Sequence, residues 1–166
     1  MIPTRHALVL ALLGCMTAAQ GQQTLAELVD QAGAEWMIGN WVSEGENGQT
    51  IDLSFAWALD KHAILLDRKD SRWEIKSMTA VDPESGEVKY VGVSNQGAII
   101  LGTWSEESGN PVLKFHARGR EGRSMKGAVL FKSGGDQKLQ VDYYATDDWN
   151  NLIEPAQAKF VFKPKK

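Results

Sequence analysis

The spacing of apolar positions changes once along this chain. Over residues 22–35, Leu25, Leu28, Val29 and Ala32, continued by Trp36, recur at three- and four-residue intervals. That spacing places them on one face of a helix. Thr24 stands at the head of the run and Glu27 follows three residues on, the arrangement of a capping box. Further along, the period falls to two. Ile51, Leu53, Phe55, Trp57 and Leu59 alternate with Thr50, Asp52, Ser54, Ala56 and Ala58, as in a strand with one buried face.

The same reading predicts strands at 62–68, 73–81, 87–94, 98–105, 112–117, 123–132, 138–146 and 156–163. Turn formers lie between them, such as Asp82-Pro83-Glu84-Ser85-Gly86, Ser108-Gly109-Asn110-Pro111 and Ser133-Gly134-Gly135-Asp136. A longer connection is expected at 147–155. The segment 36–44 is expected to be the plug and first strand. Trp36 and Trp41 are large enough to close one end of a barrel, and Gly39 gives the backbone freedom where helix passes to strand. Short connections make neighbouring strands antiparallel, and a meander of about ten strands removes its edges by closing. The expected fold is therefore all-β: a single closed antiparallel meander barrel with one N-terminal helix. An open sandwich is the alternative, and it would need longer cross-connections.

The 166 residues fit one domain with a core of its own. Residues 1–21 read as an export signal, with Arg5 ahead of an apolar run, Ala7-Leu8-Val9-Leu10-Ala11-Leu12-Leu13, that is too short for a membrane span. Two cleavage sites fit. Leu12-Leu13-Gly14-Cys15 resembles a bacterial lipoprotein box, with Cys15 lipidated, whereas Ala19 or Gly21 suits ordinary signal cleavage. The domain at 22–166 is thus expected in the periplasm or outside the cell, or on the outer membrane through a lipid on Cys15. That anchor is the one membrane contact expected. Cys15 is the sole cysteine, so the exported domain carries no disulfide framework. A net charge of −3 with interspersed signs gives no footprint for nucleic acid.

Candidate chemistry is sparse. The chain has no nucleophile elbow, zinc-protease helix or phosphate loop, so no enzyme activity, metal or cofactor is expected. His116 alternates with Lys114 and Arg118, opposite Leu113, Phe115 and Ala117, which places it on the outer face; His62 begins a strand beside a turn. Asp147-Asp148 reads as a solvated loop. The lumen is the better candidate. Phe55, Trp57, Leu66, Trp73, Ile75, Tyr90, Leu101, Phe131, Tyr143 and Phe160 are expected to face it, with Ser77, Thr79 and Thr103 as polar groups. Such a lining suits a small hydrophobic ligand. Equally, a barrel of this size is filled by its own side chains, which would leave a structural or interaction protein of the cell envelope.

Several short motifs occur in a telling order: Trp36-Met37-x-Gly39-x-Trp41, Phe55-x-Trp57-x-Leu59-Asp60, Val81-Asp82-Pro83-x-x-Gly86, Gly97, and Gly102-x-Trp104. Together with the Asp/Trp-containing loop before the last strand, they resemble exported bacterial proteins of the lipocalin-like (calycin) kind whose function is unknown. The layout is also similar to fatty-acid-binding and nitrobindin-like barrels. The resemblance implies a barrel that holds a small ligand, and no reaction carries over. Nitrobindin-like proteins ligate haem through a His near the C-terminal strand; residues 156–163 contain none.

Overall fold

A computed structural model of the chain describes residues 23–44, 49–135 and 137–166. The expected export signal, Cys15 and Asp136 lie outside the described residues. The chain order is α1 (Leu25–Gln31), a 3-10 turn (Glu35–Met37), β1 (Gly39–Glu44), β2 (Thr50–Ala58), β3 (Ala63–Lys69), β4 (Glu74–Val81) and β5 (Val88–Ser94). It continues through β6 (Ile99–Glu107), β7 (Asn110–Arg118), a second 3-10 turn (Arg120–Gly122), β8 (Ser124–Ser133), β9 (Leu139–Thr146) and β10 (Leu152–Pro164). Each strand pairs antiparallel with its sequence neighbour, and β1 pairs with β10, so the sheet is a closed meander barrel. The expected architecture is the one observed.

The capping box forms at the head of α1. Glu27 N donates to Thr24 Oγ1 at 3.3 Å, and Thr24 N donates to Glu27 Oε2 at 2.8 Å. The helix is shorter than the expected 22–35. Gly33 adopts φ +58° and its N–H bonds Asp30 O, a left-handed exit that ends the helix before the apolar spacing does. Trp36 accordingly falls in the 3-10 turn. Trp41 is 7% exposed, and its indole N–H donates to Met37 O at 2.9 Å, tying β1 back to that turn.

Inward positions alternate along each strand. Phe55 and Leu66 face each other across β2 and β3, and Tyr90, Leu113, Phe131, Val141 and Phe162 join them in one buried core. Phe55 meets Phe131 edge-on at 5.7 Å between ring centroids, and Trp104 lies 5.3 Å from Phe131 on the other side. These rings fill the waist of the lumen.

A second apolar cluster sits on the outer wall. Val112, Ala128, Leu130 and Tyr144 are buried beneath Leu152 and Ala156. The register of β10 slips between Ile153 and Ala158, and Ala156 of the slipped stretch joins Leu152 in this roof. Beside it Asp142, wholly buried, accepts from Lys132 Nζ at 2.8 Å and Gln140 Nε2 at 2.9 Å.

Four expectations are corrected. Leu59 belongs to a turn, exposed and at φ +50°, and does not continue β2. Trp73 precedes β4 and is exposed, because Asp70 Oδ1 accepts from Arg72 N and Trp73 N and so folds this residue into the turn. Leu101 faces outward and Thr103 shares its face, while Ile100, Gly102 and Trp104 take the inner one. The start of β6, Ile99-Ile100-Leu101, is apolar at every position, so alternation there carries no phase. The connection expected at 147–155 shrinks to 147–151, where Asp147 accepts from Trp149 N and Asn151 N, and β10 begins at Leu152.

Candidate ligand cavity

The end of the barrel where β2 runs into β3 is covered by α1. Leu25 is buried there, and Leu28 and Val29 share its face. Below them lies a cavity of about 240 Å³. Its roof is α1 with Met37 and Ile38. Its floor and walls are Phe55, Ile64, Thr79, Val88 and Trp104, and its rim includes the exposed Ser105 and Glu106. The surface is apolar apart from one pair: Trp104 Nε1 donates to Thr79 Oγ1 at 3.0 Å. As a hydroxyl, Thr79 also carries one donor of its own.

The opposite half of the lumen is more polar. Arg68 follows Leu66 in phase, so its side chain enters the barrel from the far end, where it pairs with Asp70 at 2.6 Å. Its Nε is buried and has no partner among the described residues. The Tyr143 hydroxyl lies against that guanidinium. Burial pushes the pKa of this phenol up, and the positive charge of Arg68 opposes the shift. Burial likewise raises Tyr90, against a hydrogen bond with Ser77. Ser77 Oγ donates to Leu66 O at 2.6 Å. Burial alone would raise the Asp70 pKa as well, but the N–H groups of Arg72 and Trp73 and the charge of Arg68 outweigh it and hold the carboxyl below its usual value.

The residues expected to share one lumen are therefore distributed over four places. Phe55 and Thr79 line the cavity. Leu66, Tyr90, Phe131 and Ser77 are buried in the waist beneath it, and Ile75, Tyr143 and Phe160 pack against the core, the last two edge-on at 5.7 Å. Trp57 is half-buried near the capped end, with Lys61 Nζ 5.7 Å from its ring centre. Trp73 and Leu101 lie outside. Sequence reasoning missed Leu28, Val29, Ile64, Val88 and Trp104 as cavity residues. For Trp104 a signal existed, since the Gly102-x-Trp104 motif echoes Gly39-x-Trp41. His116 lies on the outer face, as its alternation predicts. Among the described residues no three His, Cys, Asp or Glu side chains gather as a metal ion would require. No protein-family model matches the chain, and no curated protein matches its sequence.

Proposed function

We propose that this protein is an exported lipocalin-like barrel that holds a small hydrophobic molecule between α1 and the barrel mouth. The observation that carries the reading is the apolar cavity of about 240 Å³. It exceeds the ~150 Å³ of an engineered apolar cavity that takes up benzene, and it falls just short of the ~300 Å³ at which clefts for drug-sized ligands begin. The fitting ligand is correspondingly small, of about ten heavy atoms, with one polar group for Thr79. Burying about 400 Å² of such a ligand at ~25 cal/mol per Å² gives about 10 kcal/mol. Association consumes roughly half of this, leaving a dissociation constant on the order of 0.1 mM.

The test is a titration with medium-chain fatty acids and alcohols, read by tryptophan fluorescence. Saturable quenching is expected in the native chain. Trp104→Phe should lose most of the signal while binding persists by calorimetry, and Val88→Phe, which fills the cavity, should abolish binding. Absence of saturable heat or quenching with every probe would leave a barrel whose role is structural, as the filled waist of Phe55, Phe131 and Trp104 would then suggest.

A further inference from the structure

The outer wall of the barrel is finished differently on its two sides. Over β7–β9 the apolar side chains are roofed by the bulged part of β10. Over β3–β6 they are bare. Leu65, Met78, Val91 and Leu101 stand opposite one another in unbroken register across four strands. Each is 42–54% exposed. Val93 and Ile99 form the adjoining pair, and both are exposed as well. Soluble monomers rarely leave more than a few hundred Å² of contiguous apolar surface uncovered, and six half-bare aliphatic side chains reach that size.

The charge beside this patch is one-sided. His116 lies opposite Leu101, Lys126 opposite His116, and Arg118 opposite Ile99. Arg118 and Lys126 take part in no ion pair among the described residues, whereas Lys114, farther along β7, feels Asp147. On the other flank the charges are matched. Lys76 pairs with Asp67 at 2.6 Å, and Lys89 with Glu87 at 2.5 Å.

We propose that this wall rests on an anionic phospholipid surface. The aliphatic patch would enter the headgroup boundary while Arg118 and Lys126 lie over the phosphates. Apolar area together with adjacent cations is the combination that draws a protein face to such a surface. A second copy fits the charges less well. Wall packed on wall about a two-fold axis sets the basic strip either against itself or against Asp67, which Lys76 already neutralises. Lipid phosphate supplies the missing counter-charge.

The experiment is co-sedimentation of the full chain with vesicles of phosphatidylcholine alone, or of phosphatidylcholine mixed with phosphatidylglycerol. The N-terminal apolar segment is present in every variant and contributes equally. Binding is expected to be stronger on the mixed vesicles and to weaken with salt. The double variant Val91→Asp with Leu101→Asp should lower it about tenfold while circular dichroism shows the chain still folded at the assay temperature, the two opposed carboxylates costing part of the melting temperature. Arg118→Glu with Lys126→Glu should remove the preference for phosphatidylglycerol. Equal vesicle binding by the native and V91D/L101D chains would overturn the proposal, and so would indifference to lipid charge. A native dimer in sedimentation velocity that V91D/L101D converts to monomer, with no change on vesicles, would assign the wall to a second copy instead. None of these readouts depends on occupancy of the internal cavity.

Discussion

The indole N–H of Trp104 donates to the Thr79 hydroxyl at 3.0 Å, linking β6 to β4 over the strand between them. The same indole leans on Phe131 at 5.3 Å. One side chain therefore closes the waist and forms the cavity floor. Thr79→Val keeps the shape and removes the acceptor. The stranded indole donor should cost about 1–3 kcal/mol, measured by urea denaturation. Thr79→Val combined with Trp104→Phe should cost less than the sum of the two single changes, because both remove the same bond. Strict additivity would show that the bond contributes nothing.

Two tryptophans should differ sharply in their contribution to stability. Trp41 is 7% exposed with its N–H bonded, and Trp149 is 83% exposed on the 147–151 loop. Trp41→Ala should destabilise by about 3–5 kcal/mol, and Trp149→Ala by no more than about 0.5 kcal/mol. Equal denaturation midpoints would refute the assignment.

At Gly102 the requirement is space rather than backbone conformation. A Cβ there would fall 2.8 Å from Lys114 O and 2.9 Å from Leu113 Cδ1. Gly102→Ala should therefore cost about 1–3 kcal/mol through overpacking. Gly86→Ala meets no atom within 4 Å, so any penalty at that turn comes from its φ of +73° alone. Paired thermal melts, with the structure of the Gly102 variant, would distinguish the two mechanisms.

Acid should act partly through Asp70. Its carboxyl is held below the usual value, so the stability it contributes is complete above the unfolded pKa of about 3.9 and is lost as pH falls through the lower, folded value. Asp70→Asn should be less stable than the native chain at neutral pH, and the two stability curves should converge as pH drops below about 4. Parallel curves down to the lowest pH would rule this out.

Where the chain alternates cleanly, the fold was legible. Ile51, Leu53, Phe55 and Trp57 give β2 both its extent and its inner face. Where a segment is apolar at every position, phase is lost, as at Ile99-Ile100-Leu101. The run Ala128-Val129-Leu130-Phe131 carries a different message. Both faces of β8 are buried there, one in the lumen and one under the β10 roof, and a continuous apolar run is the sequence mark of that situation. The cavity was misplaced toward the middle of the barrel because its position depends on how α1 docks, which no local pattern encodes. Arg68 was overlooked although it sits in phase with Leu66, since an inward charge is legible only once its partners Asp70 and Tyr143 are known.

The junction of first and last strands bears on how a guest would come and go. Among the described residues the register joins β1 to β10 through Trp41 with Pro164 and Val42 with Lys163, reinforced by Lys165 N to Asn40 O at 2.8 Å, while Lys165 Nζ reaches Asp52 on β2 at 2.8 Å. By contrast β2 and β3 stay in register from Asp52 with Lys69 to Ala58 with Ala63. Protection from exchange is lowest where a sheet has fewest bonds to break, so the amides of Trp41 and Val42 should exchange ahead of those in the β2–β3 ladder. β1 follows α1 through the 3-10 turn at Glu35–Met37, so this short junction adjoins the cavity roof. On the proposed ligand reading, this junction is the expected place of entry, since it has fewer strand bonds to part than the β2–β3 ladder.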